Sequence, residues 1–300
     1  MISCTVSGMA KTIADEIERR EIMWDLLQGQ PADQYKPDEL RSLGVYGGAQ
    51  GIWVDKEETA SLVEDGCGIA VGLLHTGTHY DDLWGDSGLA YMYPSTERLG
   101  TRDTNEVNAL KNAARYKVPV FIIRRPSRSS NTREVQVGWV IECSDAAKAA
   151  WVSFDPEADP ITLLDETDDV FQLTKTGRPP RYSSTVQREG QSLFRYRVLK
   201  RYGARCLFTG IDHASLIDAC HICGHSYGGS NHPGNGIPLS ATVHRAFDSH
   251  LIRINPESYL IEDDTNGTTL RMLGIDPSAL ANETVKPNQE AIRWRWENTQ

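Results

Sequence analysis

The residues best equipped for chemistry crowd into one segment, 204–254, which reads ARCLFTGIDHASLIDACHICGHSYGGSNHPGNGIPLSATVHRAFDSHLIRI. A histidine is close to neutral at pH 7, so it can take a proton or offer a nitrogen to a metal. His244 and Asp248 lie four residues apart in a stretch read as a short helix around 240–248, so both can face one site. Asp218 precedes Cys220 by two residues, which places them on the same side of a strand. Cys206, Cys220 and Cys223, with His225 or His232, offer a second chemistry, a structural Zn²⁺ site, because C-x-x-C is a zinc half-site. That pair spans the strand carrying His221 and no second C-x-x-C follows, so the plainer reading, small buried side chains, is preferred. His213, His225, His232 and His250 are read as ordinary histidines.

Elements that would position these groups follow from periodicity. Ile13, Ile17, Trp24 and Leu27 recur at helical spacing over 10–28, and Gln28-Gly-Gln-Pro31 stops the helix. GIAVGLL at 68–74, PVFIIR at 119–124 and VQVGWVIE at 135–142 read as strands, interrupted by a helix over 105–117. Strands around one embedded helix suggest a compact, strongly bent sheet or barrel. A helix over 191–203 ends at Gly203, and a Gly/Ser/Asn/Pro-rich loop covers 224–236. The expected organisation is an N-terminal helical segment at 1–38, a domain at 39–155, a linker at 156–186 and a second domain at 187–300.

Composition bounds the function. With 39 % apolar and 24 % charged residues in 300, the chain can bury sizeable cores and is not a disordered polymer. No apolar run approaches the roughly 18 residues of a membrane span, and the N-terminus does not read as a secretory signal. Six unevenly spaced cysteines are no disulfide scaffold, so a reducing cytoplasm is expected. The net charge of −10 gives no overall attraction to nucleic acid, but charge is segregated. Residues 102–133 carry a local +6 and 171–205 a local +8, with seven acids and no base over 155–169. Such blocks are either solvated faces or two grips on a polyanion.

His221 in IDACHI, Asn235 in GNGIPL and His244 in ATVHRAFD stand in order. Around them are GQ-x-x-F-R at 190–195, YGARCLFTG at 202–210, and NGIPL followed by H-x-x-F-D. On these motifs the segment from Gln187 to Ile254 resembles the HNH nuclease family. The resemblance implies a ββα-metal unit, a two-stranded hairpin, a loop and a short helix, that hydrolyses DNA phosphodiester bonds. It implies the catalytic set His221, Asn235 and His244: His221 as general base, Asn235 bracing the loop, His244 as metal ligand. The metal set is expected to be His244, Asp248 and Asp218 around Mg²⁺, Mn²⁺, Co²⁺ or Ni²⁺. Many members place an acid or histidine directly before the base; here that position is Cys220, a poor ligand for magnesium. Asp218 would then reach the metal directly or through water, although two strand residues span about 6.6 Å. His250 stands where related sequences often have glycine.

LGVYGGAQGI at 43–52, GIAVGLLHTGTHYDDLWGDSGLAYMYP at 68–94, NALKNA at 108–113 and PVFIIRR at 119–125 make residues 44–125 resemble the SRA family. Its PUA-like fold flips a modified cytosine out of duplex DNA. The resemblance implies Asp82 as reader of the base edge, where a carboxylate can accept from cytosine N4. His79 would stack on one face and Tyr91 or Tyr93 on the other. Histidine in the stacking position and AYMYP in place of a Thr-Tyr-Thr-Gly run allow a modification other than 5-methylcytosine, such as 5-hydroxymethylcytosine. The alternative is an Asx-rich turn, with Asp81 and Asp82 capping backbone amides. Arg124, Arg125, Arg128 and Arg133 are the expected DNA-backbone contacts. Tyr46, Gly47 and Gly48 form either a loop near DNA or a tight turn.

Together the two halves read as an α+β chain, an SRA/PUA-like bent β-barrel followed by a ββα-metal nuclease. That is the layout of a modification-dependent (type IV) restriction endonuclease that acts on double-stranded DNA. A duplex break needs two nicks from one visible site, so a homodimer is expected. The alternatives are a DNA-binding module without cleavage, and an HNH nuclease whose head binds RNA or protein.

Overall fold

The computed structural model describes residues 12–28, 34–48, 51–75, 85, 87–94, 101–127, 129–158, 171–174 and 190–298. His79, Asp82, Arg128 and most of the 156–186 segment lie outside them. The chain divides into two compact units: Met1–Cys143 with Ala150–Pro160, and Ser144–Ala149 with Ile161–Gln300. Among the described residues no helix is long and apolar enough to cross a membrane.

In the first unit, helix α1 (Ile13–Gln28) starts at a reciprocal cap. The Asp15 amide donates to Thr12 Oγ1 at 3.2 Å and the Thr12 amide to Asp15 Oδ2 at 2.9 Å. Its buried face differs from the expected stripe. Of Ile13, Ile17, Trp24 and Leu27 only Leu27 is fully buried, and the helix instead turns Glu16, Arg19, Arg20 and Met23 inward. The reason is a buried ion cluster. Glu16 accepts from Arg19 Nε and from Arg20 Nε, both at 2.7 Å, and Arg20 Nη1 donates to the carbonyls of Ala70 at 2.6 Å and Pro119 at 2.5 Å. Paired this way, the charges anchor the helix rather than repel the core.

After helices α2 (Pro37–Ser42) and α3 (Lys56–Thr59), the unit is built on strands β1 (Ile52–Val54), β2 (Ala70–His75), β3 (Gly88–Met92), β4 (Val120–Arg124), β5 (Glu134–Ser144) and β6 (Ala149–Ser153). Their order is β1-β2-β4-β5-β6-β3. β2 and β4 are parallel, while β1 with β2 and β4 with β5 are antiparallel. Helix α4 (Arg102–Tyr116) is pinned to the segment before β2, because buried Asn112 donates to the Gly68 carbonyl at 3.0 Å. The expected barrel is not closed: β1 and β3 are the two edges of an open sheet. β1 has three residues and a register shift at Trp53/Val54, too little ladder to close on β3. The Tyr91 hydroxyl of β3 donates to the carbonyl of Gly51, the residue before β1, at 2.7 Å.

The Tyr46-Gly47-Gly48 turn belongs to the packing. Tyr46 sits in the core cluster, and a Cβ on Gly47 would lie 1.9 Å from the Trp53 ring.

The second unit holds helix α5 (Gln191–Tyr202), the hairpin β7 (Ile217–His221) and β8 (Gly236–Ser240), helix α6 (Ala241–Asp248), the pair β9 (Arg253–Ile254) and β10 (Ile261–Glu262), and helices α7 (Thr268–Leu273) and α8 (Gln289–Asn298). β7 and β8 pair antiparallel from Ile217↔Ser240 to His221↔Gly236, and α6 follows β8 directly. α5 packs against β8 closely enough that a Cβ on Gly236 would lie 2.5 Å from Val198 and 2.7 Å from Phe194.

Candidate active site

Strand alternation divides the chemistry of β7 between two faces. Asp218 and Cys220 share one side and His221 takes the other. The His221 ring stacks on Phe194 of α5, with centroids 3.7 Å apart and planes 14° apart. This contact accounts for the phenylalanine in the 190–195 motif. Asn231 Oδ1 lies 3.1 Å from His221 Nε2, where it can accept the Nε2 proton. In that tautomer Nδ1 carries the lone pair, so the ring is oriented as a base.

Asn235 is fully buried and ties the loop after His221 to itself. Its Oδ1 accepts from the Cys223 amide at 2.8 Å. Its Nδ2 donates to the Cys223 carbonyl at 3.1 Å and the Ser230 carbonyl at 2.9 Å. The loop it closes carries Asn231, the partner of His221.

His244 projects from α6 between two carboxylates. Its Nδ1 lies 3.2 Å from Asp218 Oδ2 and its Nε2 lies 3.2 Å from Asp248 Oδ2. Cys220, His244 and Asp248 each offer a ligand atom within 4.8 Å of the others, the only such group among the described residues. Burial opposes charge on His244, yet its bonds to Asp218, Asp248 and Cys220 outweigh that and push its pKa up to about 12. Burial raises the carboxyls of Asp218 and Asp248, but the bond and charge of His244 lower both below the usual range. Burial pushes the Cys220 thiol up. The cluster is thus built to hold positive charge, with a proton on His244 or a cation between the ligands.

The donor set fits a divalent cation. An imidazole, a carboxylate and a thiol converge, a set softer than the one expected, suiting Co²⁺, Ni²⁺ or Zn²⁺ better than Mg²⁺. Cys220 therefore groups with His244 and Asp248, not with Cys206 and Cys223 in a zinc site. Asp218 lies at the opposite ring nitrogen from Asp248. In that place it fixes the orientation of the imidazole. Arg195 of α5 stands behind it, with Nη1 3.9 Å from Asp218 Oδ1.

Two groups escaped the sequence reading, Asn231 and Arg295 of α8, and Cys220, noted there as a poor match to magnesium, stands beside His244 and Asp248. Arg295 Nη1 donates to the Ile222 carbonyl at 3.0 Å, its Nη2 donates to the Phe247 carbonyl, and its guanidinium lies 3.8 Å over the Phe247 ring. It therefore clamps the end of β7 to the end of α6. The RWRW run at 293–296 was the available signal, but nothing local says which arginine turns inward.

His250 also finds its explanation. Its φ is +60°, at the position after the α6 C-cap Ser249. The His250 amide donates to Phe247 O at 3.1 Å and the Leu251 amide to Ala246 O at 3.0 Å, the paired bonds of a left-handed helix stop that favours glycine.

In the first unit the expected reader residues are only partly described. Tyr91 is 8 % exposed, its hydroxyl bound to Gly51, so its ring is part of the sheet's packing; Tyr93 is the half-buried tyrosine of that segment. Of the expected backbone contacts, Arg125 is exposed and Arg124 pairs with Glu134. Arg133 corrects the expectation: it is 7 % exposed and donates to the Thr132 carbonyl at 2.9 Å, so it is a folded-in side chain and not a phosphate contact.

Residues 206–255 match the family model described as HNH endonuclease. No curated protein matches the chain. Among solved structures the chain is similar to one described as "Modification dependent TagI restriction endonuclease", at 16 % identity over 90 % of this chain and 93 % of that one, with a TM-score of 0.29.

Proposed function

We propose that the protein is a metal-dependent DNA endonuclease whose cutting is directed by modified cytosine. The observation that carries the nuclease half is the ββα hairpin-helix unit that sets His221 on one face of β7 and the His244, Asp248 and Cys220 group on the other. In this reading His221, oriented by Phe194 and Asn231, takes the proton of the attacking water. Asn235 holds the loop that keeps Asn231 in place. His244 and Asp248, with Cys220 beside them, would hold the cation, and Asp218 fixes the ring of His244. When bound, a divalent cation neutralises charge developing on the phosphate and the leaving oxygen. The directing half rests on the ordered sequence motif around Asp82 and on the half-buried Tyr93, with the base flipped and read along its edge. Two copies acting together would make the double-strand break.

The test compares duplexes of one sequence carrying cytosine, 5-methylcytosine or 5-hydroxymethylcytosine, with Mn²⁺, Co²⁺, Ni²⁺ or Mg²⁺ and with a chelator. Modified DNA should be cut faster, only with metal, and His221→Ala should lose at least ~10² in rate while still binding. Equal cutting of all three duplexes removes the directing role, and cutting by His221→Ala at the normal rate removes the base assignment.

A further inference from the structure

A cleft of about 290 Å³ opens in the first unit between α1 and the β4–β5 face. It is near the roughly 300 Å³ lower bound of small-ligand sites. Trp24 and Trp139 are half-buried in its lining, with Arg20, Glu21, Gln136 and Lys117 among the polar groups. None of them belongs to the tyrosine–aspartate motif. Arg20 is 1 % exposed and three of its hydrogen bonds are accounted for, to Glu16, Ala70 and Pro119. Its Nη2 is buried and has no acceptor among the described residues. A buried guanidinium N–H without a partner is rare, and it leaves the wall of the cleft with donor capacity that the fold does not use.

We propose that this cleft binds a nucleobase. Tryptophan faces supply stacking that every base accepts. Arg20 Nη2 lies closed off beneath the wall and reaches a ring carbonyl only when the side chains over it give way. Glu21 supplies a carboxylate and Gln136, held by an Nε2 donation to the Val137 carbonyl at 3.1 Å, supplies an amide oxygen; both can accept from an exocyclic amine. Lys117, exposed at the left-handed end of α4 with φ +53°, sets a cation at the rim for the phosphate attached to the base. The choice of a nucleobase over another planar ligand rests on the proposed function, since a chain that handles DNA meets bases first. The base can come from a free nucleotide or from a nucleotide turned out of DNA.

Full-length protein is titrated with dAMP, dCMP, dGMP and TMP, following quenching of tryptophan fluorescence, and with duplexes carrying 2-aminopurine, following its emission. At least one mononucleotide should quench saturably. Trp24→Leu and Gln136→Met should each weaken that binding at least tenfold while melting within a few degrees of the parent. Binding of mononucleotides without any change in 2-aminopurine emission assigns the cleft to free nucleotides; a change abolished by Trp24→Leu assigns it to bases in DNA. No saturable binding in either arm overturns the proposal, as does binding that both variants leave unaltered. DNA cleavage is read separately. Cutting without cleft binding sinks this inference alone, and cleft binding without cutting sinks the nuclease reading alone.

Discussion

Replacing Asn235 with alanine should unfasten the loop that carries the partner of His221. The side chain is fully buried and makes three hydrogen bonds, one accepted from the Cys223 amide and two donated to the Cys223 and Ser230 carbonyls. At about 1 kcal/mol net for each, the loss is about 3 kcal/mol, and more where a backbone group stays buried without a substitute. For a unit of this size about 3 °C of melting temperature goes with each kcal/mol, so Asn235→Ala should melt about 9 °C lower. Asn235→Asp should be at least as damaging at pH 7, because it returns an acceptor for the Cys223 amide but sets an oxygen against both carbonyls. The assays are calorimetric melting, hydrogen exchange at the Cys223 amide, and single-turnover cleavage. A shift below about 2 °C would refute the hydrogen-bond account. A full shift with unchanged cleavage well below the melting point would refute the view that the loop positions His221.

His250→Gly should stabilise the protein by about 0.5–1 kcal/mol, since its φ of +60° is one glycine adopts without strain; a lower melting temperature would count against this. Metal uptake should release protons. His244, pushed up to about 12, must lose its proton to bind, so log affinity should rise with pH with a slope near one, and near two if Cys220 binds as thiolate. Isothermal titration in buffers of different ionisation enthalpy reads that number, and Cys220→Ala should return a slope of two to one. In the chelated protein, the stability that His244 contributes is complete below its ordinary pKa of 6.5 and fades as pH rises towards about 12. That of Asp218 and Asp248 is present above their ordinary 3.8 and fades as pH falls through their lowered values, so melting against pH should fall at both ends. Arg295→Met should cost about 2–4 kcal/mol, because the Ile222 carbonyl loses this donor and the Phe247 carbonyl keeps the His250 amide but loses the guanidinium, and Arg295→Lys should not restore both bonds.

The parts of this site that could be read from sequence are those set by short-range order. His244 and Asp248 share a helix face because four residues make a turn, and Asp218 with Cys220 share a strand face because alternate residues do. What stayed hidden depends on partners distant in sequence. Nothing near Glu16 says that Arg19 and Arg20 turn inward with it, so the isoleucines of α1 took the core face by default. Arg133 has the look of a surface cation until its strand is paired. Tyr91 resembles an aromatic wall until its hydroxyl meets Gly51 across an unclosed sheet. Cys220 was set aside for its poor match to magnesium, and its place beside His244 came only from packing α6 on β7. The glycine-like position of His250 was visible, but its meaning required the backbone angle.

The clamp made by Arg295 has a consequence for the order of events during synthesis. The guanidinium that joins the end of the hairpin strand to the end of the following helix is supplied 73 residues after Ile222. A ribosome therefore makes every residue of the hydrolytic centre well before the side chain that locks it. The sheet unit, complete by Pro160, can fold while the cutting unit is still unfastened. Under the proposed function, such a nascent chain would fold its reading unit before its cutting unit is locked, so synthesis interrupted short of Arg295 should leave a product that does not cut DNA.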